Sequence, residues 1–284
     1  MRYKRLSQLG KELYFRFIED DVPALGAQVT YYLLLSFFPF LIFLITLISY
    51  TPLTSDVMLG NLSYILPRDA YEAITGAFRQ TVNARSRTLL SFSMAAAIWA
   101  SSNGILAMIR GINKAYDQKE TRPFWKTRGI SILFTIALAV LILLTLLILV
   151  FGETLGEYIF FLLGFSYLFN VSWDIIRFIA ALAILTLVFI FIYRWMPNCR
   201  LSFIEVLPGS VFSTAGWILI SLAFSYYVNN FTYYSNMYGS IGGIIVLLLW
   251  LYWSSVIILL GGEINATLAR VTSDKCGNKK KAPR

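Results

Sequence analysis

The sequence predicts an all-α polytopic membrane protein with six transmembrane helices and amphipathic interfacial helices beside them. Three observations predict it. Of the 284 residues, 58% are apolar and only 14% charged, where a soluble domain carries roughly 45–50% and about 25%. The residues 22–55, 88–109, 129–152, 178–193 and 206–262 contain no Asp, Glu, Lys or Arg. The net charge of +9 is concentrated on alternate connections between these stretches, as membrane orientation requires.

Each element follows in chain order. In the tail, residues 1–21, Leu6, Leu9, Leu13 and Phe17 recur at spacings of three and four with Arg5, Lys11 and Arg16 between them, the pattern of a basic helix lying on the inner membrane surface. About 20 apolar residues cross the hydrocarbon layer, which places span one near 27–50, span two near 88–109 and span three near 129–151. Between the first two, Ala70, Ala73, Ile74, Ala77, Phe78 and Val82 form a second amphipathic stripe after the helix-breaking Pro67. Span four, near 175–195, is short, and Arg177 and Arg194 snorkel to the two interfaces. The stretch 206–262 holds two spans, near 207–228 and 241–262, divided by polar residues 229–236. Residues 22–267 form one membrane domain and 268–284 a basic tail. The first span is retained, because its apolar run is far longer than the core of a signal peptide.

Six spans put nineteen Lys and Arg on one side and five on the other, so both termini face the cytoplasm. Residues 158–173 are also free of charge, but counting them as a span balances the tally at twelve against twelve and erases the signal. They read as interfacial or re-entrant. Cys199 and Cys276 then both fall inside, in agreement with reduced thiols.

Histidine is absent, which removes the Ser-His-Asp triad, the Cys-His pair and His-bearing zinc sites. No enzyme, cofactor or metal site is expected. With no ionisable residue inside the charge-free stretches, coupling through a mid-membrane carboxylate is not expected either. The candidate cavity or hinge residues are Gln28, Thr30, Tyr31, Ser36, Ser101, Asn103 and Tyr238, with Pro39 in mid-span leaving the Leu35 carbonyl without its helical donor. The same hydroxyls and amides also read as plain interhelical hydrogen bonds. Glu263, after Gly261-Gly262, reads as an interfacial carboxylate capping or pairing with the loops. For helix packing, Ala97, Ser101 and Gly104 offer a small face on span two, and Gly239, Gly242 and Gly243 open span six with a matching one, so these two spans are expected to pack together.

The residues 24–39, ALGAQVTYYLLLSFFP, resemble the first-span motif of the YihY/BrkB family of bacterial inner-membrane proteins, once labelled ribonuclease BN-like. The resemblance continues through Trp99-Ala100-Ser101-Ser102-Asn103-Gly104, Asn113-Lys114-Ala115-Tyr116, Tyr193-Arg194-Trp195-Met196-Pro197-Asn198, Leu207-Pro208-Gly209, Gly216-Trp217, Tyr238-Gly239-Ser240-Ile241-Gly242-Gly243, Leu249-Trp250-Leu251-Tyr252 and Gly261-Gly262-Glu263-Ile264-Asn265-Ala266. Gly26-Ala27 departs from the Ala-Ala of the family pattern. The resemblance implies six spans with both termini inside and supplies no activity. The residues themselves point first to a transporter or flippase-like protein for an amphipathic or lipid-linked solute. A non-transporting scaffold for envelope or lipid-handling proteins is the alternative, and an intramembrane enzyme comes third. The expected partners are membrane lipids and a small-molecule or lipid substrate, with no nucleic acid.

Overall fold

A computed structural model describes residues 2–49, 87–141, 166–230 and 240–272. These form seven helices: α1 (Arg2–Glu19), α2 (Val22–Ser49), α3 (Arg87–Ala115), α4 (Phe124–Leu141), α5 (Ser166–Trp195), α6 (Phe203–Asn230) and α7 (Ser240–Thr272). No strand occurs among the described residues. All but α1 are long and apolar enough to cross a membrane. The chain is an all-helical, multi-pass membrane protein.

Packing follows from the solvent. Lipid tails are as apolar as leucine, so apolar side chains gain little by turning inward, and tight contacts and polar groups select the inner faces. Large residues such as Phe92, Trp99, Leu133, Phe178, Leu219 and Leu222 accordingly stay exposed. α2 packs along α3, α6 along α7, and α7 also touches α1, α2 and α3, so α7 is the hub. The core gathers Val22 and Val29 of α2, Ile105, Ile109 and Ile112 of α3, Phe189 and Tyr193 of α5, Val206 of α6, and Val256 and Leu259 of α7.

α1, the C-terminal end of α7 and the connections 116–123 and 196–202 meet at one end, called here the α1 end. Arg16 of α1 reaches Glu263 of α7, Lys114 of α3 reaches Asp21, and Asn198 donates to Thr121. Two of the turns there use an aspartate in the left-handed region, Asp21 at φ 53° and Asp117 at φ 52°. After α3 the amides of Asp117 and Gln118 donate back to the Lys114 and Asn113 carbonyls at 2.9 and 2.8 Å, a Schellman stop. Asp117 then pairs with Arg270 of α7.

Several expectations need correction. The third span starts at Phe124 rather than residue 129, so Arg128 lies inside it. Residues 166–173 are helical and continue directly into the helix of span four. No proline or glycine breaks the chain there, and a continuous helix satisfies every backbone group. Span six does not pack through Gly243, which is exposed and has open space where a Cβ would stand. Span two turns its small face to span one: a Cβ on Gly104 would meet Leu33 at 3.3 Å, and Ala97 is buried. Arg16 does not face outward on α1; it is 6% exposed and points into the bundle. Residues 70–82, 158–165, Tyr238, Gly239 and Cys276 lie outside the described residues.

Candidate functional site

α7 carries a seam of buried polar groups that runs from mid-helix to the α1 end. Nearest the middle, Thr30 of α2 bonds its hydroxyl to the Gly26 carbonyl at 2.8 Å and lies 3.5 Å from Ser255 Oγ. One turn on, the fully buried Tyr193 of α5 donates to the Ile258 carbonyl at 2.6 Å and shares a 2.6 Å hydrogen bond with the Ser213 hydroxyl of α6. These contacts need close backbones, and two glycines permit them. A Cβ on Gly261 would overlap Ser213 and the Tyr193 hydroxyl and come within 2.9 Å of the Gly209 carbonyl.

Pro208 sits inside α6, where it removes one backbone donor and crowds the carbonyl four residues back. The side chain of Asn265 bridges this place from α7. Its Oδ1 accepts from the Gly209 amide at 2.7 Å, and its Nδ2 donates to the Val206 carbonyl at 3.1 Å. A fully buried amide that satisfies both of its ends is a directional clasp between two helices. Sequence reasoning gave Asn265 no role. The signal was there, in a proline-glycine pair inside one span and an asparagine inside another.

At the α1 end, Glu263 is 1% exposed. Arg16 Nη1 stands 3.4 Å from its Oε2 and donates to the Ala115 carbonyl at 2.9 Å, so one guanidinium joins α1, α3 and α7. Asp20 lies beside this group, and burial raises its pKa above the ordinary 3.8 against the pull of Arg16 and Lys114. Further out, Arg122 holds Glu120 by two bonds of 2.8 and 2.6 Å and donates to the Met196 carbonyl at 2.9 Å. These bonds lower the Glu120 pKa below 4.5. Asn113 ties the same loops, donating to Glu120 at 3.0 Å and accepting from the Asn198 amide at 2.7 Å.

The seam takes in Thr30 and Glu263 from the candidate residues. Ser36 is buried, but its hydroxyl donates to the Leu33 carbonyl at 2.7 Å, not to that of Leu35. Tyr31 is exposed and rests edge-on against Tyr32, while Gln28, Pro39 and Ser101 are half-buried. α2 continues through Pro39 to Ser49. Asn103 belongs to a different group. Its Oδ1 accepts from Arg128 of α4 at 2.7 Å, and that guanidinium lies 3.8 Å above the ring of Trp99.

Buried charge is thus present after all. Glu263 and Arg128 both fall inside helices apolar enough to cross a membrane. Charge-free windows missed them because each sits one residue beyond a window edge. Among the described residues no group of three or more His, Cys, Asp and Glu side chains is placed to hold a metal ion.

The family described as Virulence factor BrkB matches residues 13–284. A Bacillus subtilis protein named only as ribonuclease-like, YfkH, is 45% identical over 258 residues, which cover 91% of this chain and 94% of the relative. The UPF0761 membrane protein NT05HA_1801 of Aggregatibacter aphrophilus is 23% identical over 93% of this chain and 92% of its own. PSHAa0171 of Pseudoalteromonas translucida, also a UPF0761 membrane protein, is 35% identical over 28% of this chain and 27% of its own. No solved structure matches.

Proposed function

This chain belongs to the BrkB family of membrane proteins, and from that premise we propose that it moves an amphipathic or lipid-linked solute across the bacterial inner membrane. The observation that carries the reading is the polar seam of α7, Thr30 and Ser255 to Tyr193 and Ser213, Asn265 and Glu263. Polar and ionisable groups inside a membrane bundle are costly and mark substrate or ion paths. A headgroup following such a seam would exchange one set of hydroxyl and amide partners for the next while its acyl chains stay in lipid. Both termini are cytoplasmic in this reading, supported by the nineteen-to-five division of Lys and Arg over alternate segments of the sequence.

Reconstitution of the full chain into liposomes with candidate lipids and small anions tests the proposal. Trans-bilayer movement above protein-free vesicles is the expected result. Movement equal to those controls across the panel favours the scaffold reading instead. Nuclease activity has no place in this reading; at the α1 end Glu263, Asp21, Glu120 and Asp117 are each paired with a basic side chain. Metal-dependent RNA cleavage that co-purifies with the protein and vanishes in a single carboxylate variant would contradict it.

A further inference from the structure

Arg128 is 6% exposed and lies in the span Phe124–Leu141, beside the midpoint of α3. Its polar partners are neutral: Asn103 Oδ1 at 2.7 Å and, at a long 3.4 Å, the Trp99 carbonyl. The Trp99 ring beneath it contributes a cation–π contact at 3.8 Å. Among the described residues no carboxylate forms an ion pair with Arg128, and its Nε is buried without a hydrogen-bond partner. The neighbouring Thr127 hydroxyl is also buried and unpartnered.

A guanidinium out of water loses several kcal/mol of solvation, which neutral dipoles restore only in part. Most buried arginines meet a carboxylate, and this one leaves a donor unused. The long bond to the Trp99 carbonyl is the weakest of its contacts and the easiest to exchange. Trp99 itself is 61% exposed on the outer face of the bundle, so the ring that covers Arg128 is the one that faces lipid.

We propose that the α3–α4 seam at Arg128 is a binding site for a phosphate oxyanion, admitted from the lipid side when the Trp99 ring moves aside. The oxyanion takes Nε and Nη2 as a fork, the bidentate geometry that guanidinium offers to phosphate. Nη1 stays on Asn103, which fixes the plane of the fork. The site binds whether or not the protein transports anything, so it stands apart from the flux experiment above.

The test uses the full chain in a neutral detergent and phosphatidic acid with a photoactivatable acyl chain. Labelling is expected to concentrate on the peptides that contain Trp99 to Asn103 and Thr127 to Ser131. Excess unlabelled phosphatidic acid should suppress it, and diacylglycerol of the same chain length should not. Arg128→Gln is expected to reduce labelling at these peptides about tenfold or more, the loss of a charge-assisted bond, with background labelling elsewhere unchanged. Suppression by inorganic phosphate identifies a free anion as the ligand; suppression by the lipid alone identifies a headgroup. Labelling spread evenly over the spans, competition by diacylglycerol as effective as by phosphatidic acid, or a folded Arg128→Gln protein labelled like the wild type would each overturn the site. Should Arg128→Gln fail to fold, the competition on wild-type protein decides alone.

Discussion

α7 carries two glycines, Gly243 and Gly261, with opposite surroundings, although Gly242 beside the first is buried. Gly243, near the start of the helix, has open space around it. Gly261, about five turns further on, lies so close to α6 that a methyl group has no room beside Ser213, Tyr193 and the Gly209 carbonyl. Residue type and helix are the same, so the difference comes from what must meet there. In lipid, smallness alone gives two helices little reason to approach. Around Gly261 the approach is enforced by directional bonds, those of Tyr193, Ser213 and Asn265, which form only at short range.

The largest effect should come from filling the two places in turn. Gly261→Leu is expected to abolish recovery of folded, monodisperse protein, and Gly261→Ala to cost about 3 kcal/mol through forced separation of α6 and α7. Gly243→Leu should leave the melting temperature in detergent unchanged within a degree or two. Equal losses from both substitutions would show that the first turn of α7 packs against something, and the contrast would fail.

Next in size is the ion pair of Arg16 and Glu263. Arg16→Gln leaves the Glu263 side chain, 1% exposed, without its charged partner, and breaking a buried contact in this way costs about 3 kcal/mol. The loss should appear as earlier proteolysis within α1 as well as a lower melting point, because the same guanidinium holds the Ala115 carbonyl. Replacing both partners, Arg16→Met with Glu263→Leu, should recover most of it. A double variant no better than the single one would mean that α1 is held chiefly by the Ala115 bond.

Six spans, the amphipathic first helix and the gathering of the basic connections at one end were legible, because apolar length and charge distribution are properties of the chain alone. The α1 end of span three was not. Arg128 reads as the edge of a loop until Trp99 and Asn103, about 25 residues earlier, are seen to cover it. Nor was the partner of each small face legible. Gly104 meets Leu33 and Gly261 meets Gly209, and nothing in a spacing of small residues says which neighbour it faces. The motifs that carry the family resemblance do converge: Leu207-Pro208-Gly209 with Asn265, Tyr193 with Gly261, Asn113 with Asn198. Their polar members gave the better indication of contact.

Asn265 sharpens the point about polar contacts with a smaller change. Asn265→Ala deletes both bonds to α6 and leaves the Gly209 amide without this partner, while the Val206 carbonyl keeps the Ser210 hydroxyl; the expected cost is about 2 kcal/mol. Asn265→Asp keeps the acceptor for the Gly209 amide and loses the donor to Val206, so it should fall between. If Asn265→Ala melts like the wild type, the clasp contributes nothing beyond the close glycine contact, and shape alone holds α6 to α7.

The smallest effect concerns two carboxylates at the α1 end whose pKa values move in opposite directions. Glu120 is lowered by its bonds to Arg122 and Asn113, so it contributes stability above its unfolded pKa that is lost as pH falls through the depressed folded value. Its side chain is 27% exposed, so the contribution at neutral pH is about 1 kcal/mol or less after screening. Asp20 is raised chiefly by burial. The folded state then holds that proton more tightly than the unfolded chain does, and stability declines as pH rises from the ordinary 3.8 through the raised value. Melting temperatures measured against pH should therefore separate the two variants by sign. Glu120→Gln lies below the wild type at neutral pH and converges on it in acid, whereas Asp20→Asn converges in acid and rises above the wild type as pH increases. Curves that run parallel to the wild type at every pH would mean that neither carboxylate's titration is linked to the folding of this end.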